Sequence, residues 1–264
     1  MTGSANSLEV RGVSAGYGVS DIIGSVTFAA ARGRVTTIAG PNGAGKSTLM
    51  KTLAGLLRPR RGQILIDGRD ITRLPPPQRA LAGLGYVPQE RNVFKNLTVG
   101  ENLRIGFEFI RCKANAKEFI AARDRVLDFF PDLSQRLNEV AGTLSGGQRQ
   151  MLAMGCALIP GPATLLLDEP SAGLSPRYVT VMLDAVASVN RSGVTVIMIE
   201  QNLIEAMRVA HDVILLVAGE IKGTTWDSRS FLCDPLVKTL FLGGAKERSE
   251  DLHHDGISND ASAA

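Results

Sequence analysis

The sequence predicts an α/β protein with a parallel-sheet core, on three observations. Residues 164–167 and 194–199 read as continuously apolar strands, which implies burial on both faces rather than one. A segment of helical character, 177–190, separates them. A further strand, 34–39, runs directly into Gly40-Pro41-Asn42-Gly43-Ala44-Gly45-Lys46-Ser47, and Leu49, Leu53, Leu56 and Leu57 then recur at helical spacing over 47–57. Strand, glycine-rich loop and helix in that order make the context of a phosphate-binding motif.

The remaining elements follow along the chain. Residues 1–7 are small and polar and are expected to fray. Short strands at 8–13 and 26–30 precede the strand at 34–39, and 63–66 alternates as a strand before turning at Asp67-Gly68. Pro75-Pro76-Pro77 ends regular structure and opens a short helix at 78–82. A brief strand at 84–87 stops at Pro88. Helical periodicity then takes over, with Leu103, Phe107 and Ile110, and later Phe119, Val126, Phe129 and Phe130, so a helical insert is expected over about 93–160. Residues 213–217 form another strand, with a turn at Gly219-Glu220. Beyond Gly244 almost nothing is apolar, and 245–264 reads as a disordered tail.

Composition excludes several classes. The 264 residues are 44% hydrophobic and 21% charged, ordinary for a globular protein, and long enough to bury a sizeable core. A net charge of +3 (29 basic minus 26 acidic), without a basic block, gives no reason to expect nucleic acid as a partner. Arg58, Arg60 and Arg61 cluster after the first helix and are expected to be solvated. Three histidines leave little for a protein metal cage, and His253-His254 reads as part of the solvated tail. Cys112, Cys156 and Cys233 are few, odd in number and far apart, which suits a reducing compartment rather than a disulfide framework. No signal segment is visible, and no apolar run approaches the ~18 residues of a membrane helix. A cytoplasmic location is therefore expected, with any work at a membrane done by docking onto another chain.

Three motifs carry chemistry. Gly40, Gly43 and Gly45 let the backbone curl so that successive amides face inward at a helix N-terminus, which makes an anion nest. Lys46 supplies charge for the β and γ phosphates of a nucleotide, ATP in this reading, and the Ser47 hydroxyl can ligate Mg²⁺. Thr164-Leu165-Leu166-Leu167-Asp168-Glu169 is an apolar strand ending in two acids, which it delivers to the ligand-binding edge of the sheet. Asp168 suits Mg²⁺ and Glu169 suits polarising a water that attacks the γ-phosphate. Leu144-Ser145-Gly146-Gly147-Gln148, ahead of an apolar helix, is a second anion-ready nest. Two nests in one chain make sense if they face each other across a dimer.

With these motifs in order, the chain resembles the ATP-binding subunits of ABC transporters over about residues 8–244. Gly40, Pro41, Asn42, Gly43, Ala44, Gly45, Lys46, Ser47 and Thr48 resemble Walker A, and Gln89 in Val87-Pro88-Gln89-Glu90 resembles the Q-loop. Ser145, Gly146, Gly147 and Gln148 resemble the ABC signature. Residues 165–169 resemble Walker B with its catalytic Glu, 171–175 resemble the D-loop, and Tyr17 resembles the aromatic that stacks on adenine. The signature excludes the GTPase and small-kinase readings of the loop alone. The resemblance implies a P-loop NTPase with a RecA-like parallel core, an N-terminal antiparallel β subdomain and the helical insert. It also implies head-to-tail pairing, in which Ser145 and Gly147 of one subunit close on the γ-phosphate held by Lys46 of the other. Gln89 would touch the metal and the catalytic centre, and would link the site to the insert, whose groove receives a helix from a transmembrane permease subunit.

Departures narrow the resemblance. Most members carry a His where this chain has Gln201, in Ile199-Glu200-Gln201-Asn202, and Ser175 replaces the expected D-loop Asp. Gln201 can donate a hydrogen bond but has no titratable proton. Glu-Gln-Asn here, Phe241-Leu242-Gly243-Gly244, and Ser-x-Gly-Leu-Ser-Pro over 171–176 resemble the second ATP-binding subunit of branched-chain amino-acid importers and its relatives in urea or short-amide importers. That implies a His-bearing sister ATPase as partner, although a homodimer is possible, with permease subunits and, indirectly, a solute-binding protein. It also implies a place on the inner face of the plasma membrane. A soluble ABC ATPase of DNA repair or translation is the reading from another class; it calls for tandem cassettes or a long coiled-coil insertion, and neither is present.

Overall fold

The computed structural model describes residues 6–90, 92–200, 202–222, 226–231, 233–234 and 237–238. Strands β1 (Asn6–Ala15) and β2 (Ile23–Ala31) are followed by β3 (Val35–Ala39), α1 (Lys46–Ala54), β4 (Arg61–Ile66) and β5 (Arg69–Asp70). Then come α2 (Pro76–Leu81) and β6 (Leu84–Val87), and the helical insert: α3 (Val99–Ile110), α4 (Ala116–Phe129), α5 (Pro131–Ser134) and α6 (Gly146–Leu158). The chain returns through β7 (Thr164–Asp168), α7 (Pro176–Arg191), β8 (Thr195–Ile199) and α8 (Leu203–Ala206). It continues through β9 (Asp212–Val217), β10 (Glu220–Ile221), β11 (Trp226–Asp227) and α9 (Ser228–Phe231).

Two sheets result. One is antiparallel, in the order β2-β1-β4-β5. The other runs β10-β9-β3-β8-β7-β6, with β11 also on β9. Its centre is parallel, β6 to β7 to β8 to β3 to β9, and only the two-residue strands β10 and β11 pair antiparallel. Strands β7 and β8 are buried at every position, as their continuous apolarity predicts, and so is β3 despite Thr36 and Thr37. A core between the sheets gathers Leu8, Val10, Phe28, Ile38, Leu49 and Ile64 with the α1 side of the parallel sheet. A second core joins its other face to α3, α4, α6 and α7 through Leu103, Phe130, Leu152, Leu167 and Val186.

Differences from the sequence expectations have local causes. Asn6 and Ser7, placed in the frayed start, open β1. Ser7 is fully buried because its hydroxyl meets that of Thr164 at 2.6 Å. Helix α1 ends three residues early, at Gly55 in the left-handed region (φ 82), whose amide satisfies the Lys51 and Thr52 carbonyls. Arg79 completes that end. It is 1% exposed and donates to the Thr52, Leu53, Leu74 and Thr72 carbonyls, and burial pushes its pKa down to about 10. Arg60 and Arg61 are not simply solvated, since both bond Asp21, and Arg60 also bonds the Gly18 and Val19 carbonyls. Phe107 is core and stacks on Phe119, with ring centroids 5.6 Å apart, whereas Phe109 is exposed. The Cys156 thiol, half-buried on α6, is pushed up to about 12 by desolvation, which keeps it protonated at neutral pH. Among the described residues no helix is long and apolar enough to cross a membrane. The tail over 245–264, with His253-His254, and Phe241-Leu242-Gly243-Gly244 lie outside the described residues.

Candidate functional site

The glycine-rich loop leaves β3 at Ala39 and enters α1 at Lys46, as the strand–loop–helix reading requires. A Cβ at Gly40 would stand 2.1 Å from the Leu216 carbonyl oxygen, so only glycine fits under β9. Gly45 is the cap of α1 at φ 99, a conformation other residues avoid, and it brings no side chain to the helix's first amides. Those amides therefore face a cleft of about 440 Å³ lined by Ile22, Asn42, Gly43, Ala44, Gly45, Lys46, Ser47, Thr48 and Glu169. Geometry and dipole both suit this cleft to an anion. Lys46 is 7% exposed and folds back on the loop, donating to the Gly40 carbonyl at 2.8 Å and the Pro41 carbonyl at 3.0 Å. Burial lowers its pKa, opposed by the charges of Glu169 and Asp168.

Asp168 ends β7 and Glu169 follows it, beside the loop, where the sequence places them. The Glu169 backbone is left-handed, φ 51, uncommon for a residue with a Cβ. Gln89, just beyond β6, donates its Nε2–H to the Glu169 carboxylate at 2.9 Å. The structure thus joins the two expected catalytic groups directly. Asp168 is 3% exposed; burial, then the Glu169 charge, raises its pKa, and its Oδ1 has no hydrogen-bond partner. The Tyr86 hydroxyl reaches Asp168 Oδ2 only at 3.5 Å, and its own pKa is raised by burial. An orphaned, buried carboxylate oxygen fits a hard cation that prefers oxygen, as Mg²⁺ does. Among the described residues no cluster of His, Cys, Asp and Glu offers an alternative metal cage.

The second nest lies elsewhere. Ser145 and Gly146 are exposed at the start of α6, and neither they, Gly147 nor Gln148 line the phosphate-loop cleft. A capping box holds the nest: the Gln148 amide donates to Ser145 Oγ at 3.3 Å and the Ser145 amide to Gln148 Oε1 at 3.0 Å. The hydroxyl proton of Ser145 is still available for a ligand. Tyr178, which the sequence does not single out, packs its ring over Gly147 so closely that a Cβ would stand 2.5 Å away. Tyr17 is 52% exposed on the turn after β1; it does not line the cleft, but Ile22 at the end of that turn does. Asn92 Nδ2 donates to Gln150 Oε1 at 2.6 Å, tying the segment after Gln89 to α6. Gln201 lies outside the described residues. Its neighbour Glu200 is buried and bonded to Ser171, a pairing the motifs do not announce. The sequence signal was available, because Glu200 ends an apolar strand as Asp168 and Glu169 do.

Comparison with known proteins agrees with this geometry. The chain is 40% identical over 210 residues to the probable branched-chain amino acid transport ATP-binding protein LivF of Archaeoglobus fulgidus, covering 79% of this chain and 87% of that one. It is 38% identical to the high-affinity branched-chain amino acid transport ATP-binding protein BraG of Pseudomonas aeruginosa, covering 88% and 97%. Its fold matches the ADP conformation of an ATP-binding cassette of an ABC transporter with a TM-score of 0.80 at 27% identity, covering 90% of this chain and 99% of the other. The ABC transporter family model matches residues 23–172, more than half the chain. The phosphate loop, the acids of β7 and the nest of α6 therefore belong to an ATP-hydrolysing subunit, and the chain is a member of the ABC transporter family.

Proposed function

We propose that this chain powers uptake of branched-chain or related amino acids by hydrolysing ATP at a site shared with a second ATP-binding subunit. The observation that carries the mechanism is the Glu169–Gln89 hydrogen bond at the phosphate-loop cleft. The amides of Gly40–Thr48 would hold the phosphates, with Lys46 moving from its loop carbonyls onto the β and γ oxygens and Tyr17 stacking on the adenine. Mg²⁺, when bound, would be held by Asp168, Ser47 and Gln89 and would neutralise phosphate charge. Glu169 takes a proton from water as the water oxygen bonds to the γ-phosphorus and the β–γ bridge bond breaks. Gln89 keeps that carboxylate in line, and its Oε1 remains for the cation side. Ser145, Gly146, Gly147 and Gln148 of the other subunit would complete the γ-phosphate shell, and Gln201 of this chain would add a donor.

The names of the LivF and BraG relatives support the substrate class. The inferred assembly pairs this chain with a His-bearing ATPase on permease subunits at the inner face of the plasma membrane, with a solute-binding protein as the distant partner. Nucleic acid has no role in it. The test is uptake of radiolabelled leucine, isoleucine and valine in a strain lacking the gene. Uptake should fall to background and return with the wild-type chain but not with Lys46→Ala. Undiminished uptake in the deletion strain contradicts the substrate class, and loss of urea uptake instead favours the short-amide alternative.

A further inference from the structure

Strand β8 ends as β7 does, in an acid behind a run of apolar residues. Glu200 follows Ile199 and is 3% exposed. Both of its carboxylate oxygens bond Ser171: Oε1 accepts the Ser171 backbone N–H at 3.0 Å and Oε2 accepts the Ser171 hydroxyl at 2.6 Å. Ser171 is also buried and stands two residues beyond Glu169. Burying a carboxylate is costly unless its oxygens are bonded. The pair is thus a fixed point rather than a solvated contact.

Between this fixed point and β7 lies Glu169, with its left-handed backbone at φ 51. Such a conformation persists only where the surroundings hold it. Both ends of the turn are tied to β8, the neighbour of β7 in the sheet. At one end the Glu169 N–H donates to the Ile199 carbonyl at 3.1 Å; at the other Ser171 is held by Glu200. Inside the turn, the Ala172 N–H donates to the Glu169 carbonyl at 3.1 Å. From this turn the Glu169 side chain reaches Gln89 and the phosphate loop.

We propose that Glu200 is a positioning residue for ATP hydrolysis: by holding Ser171 at both its N–H and its hydroxyl, it fixes the turn that aims the Glu169 carboxylate. The proposal rests on Glu169 being the general base. Without either Ser171 bond the turn relaxes toward ordinary backbone angles and the carboxylate leaves its line of attack. Nucleotide binding, which belongs to Gly40–Thr48, is unaffected.

The test is steady-state ATP turnover of the full chain, in whichever nucleotide-binding pair hydrolyses ATP, with a melting temperature for each variant. Glu200→Gln and Ser171→Ala should lower kcat by about tenfold or more, since small misplacements of a reacting group are costly. KM for ATP should stay within about twofold. Ser171→Thr keeps both donors and should restore kcat, which a merely structural role does not predict. Wild-type kcat in Glu200→Gln and Ser171→Ala overturns the assignment, and so does a loss confined to KM. Should Glu200→Gln fail to fold, Ser171→Ala decides alone. Glu169→Gln separates the two readings: wild-type turnover there removes the general base itself, whereas an inactive Glu169→Gln beside fully active Glu200 and Ser171 variants removes only the positioning role.

Discussion

Asp168 Oδ1 is buried without a hydrogen-bond partner, and burial together with the charge of Glu169 raises its carboxyl above the usual range. A raised carboxyl means that the folded chain holds this proton more tightly than the unfolded chain does. Its contribution to stability is therefore fully present below the unfolded value, about 3.9, and is lost as pH rises through the raised value. Asp168→Asn removes that penalty. Thermal unfolding should show the variant more stable at neutral pH by about 1 kcal/mol, or a few degrees, with the gap closing in acid. Mg²⁺-dependent turnover should be lost in the same variant. Equal or lower stability at neutral pH contradicts this account. Asp168 and Glu169 are legible in the sequence because two acids behind an apolar run are conspicuous. Glu200 carries the same signal, but its partner Ser171 is 29 residues away, and only the pairing of β7 with β8 joins them.

At the scale of elements, the two helix starts contrast. Helix α1 begins behind a glycine that leaves its amides to a ligand, whereas α6 begins behind a serine that already caps it. In the proposed site Ser145 would have two duties, a stabilising oxygen and a donating proton, and substitution can separate them. Ser145→Asp keeps a good cap, so the melting temperature should stay near wild type, while Ser145→Ala costs about 1 kcal/mol. Ser145→Asp also removes the proton and sets a negative charge where the γ-phosphate should dock, so ATP-dependent pairing should weaken at least tenfold in light scattering. Pairing as tight as wild type denies the nest its place across the interface. The long elements were readable from period and apolarity. Strands β5, β10 and β11 were not, because two residues carry no period, and the Arg79 cap on α1 gave no local sign of its burial.

Across the whole molecule, two sheets and a helical insert set the phosphate loop, Lys46 and Glu169 around one cleft, with Gln89 bonded to Glu169 and Asp168 beside it in the chain, and the nest of α6 outside the cleft. The two proposed halves of the nucleotide site, the cleft and the nest of α6, therefore lie apart within one chain. The motifs led to the expectation of two nests facing each other across a dimer; cleft shape, Tyr178 over Gly147 and the Asn92–Gln150 link emerge only from the packing. In the proposed mechanism the left-handed turn at Glu169 delivers the base that hydrolyses ATP held between two subunits. The most direct test of that mechanism is the nucleotide recovered from the paired fraction of Glu169→Gln after incubation with Mg-ATP. That fraction should hold intact ATP, and turnover should fall at least about a hundredfold below wild type, on the order of what a general base supplies. Release of ADP at the wild-type rate would contradict it.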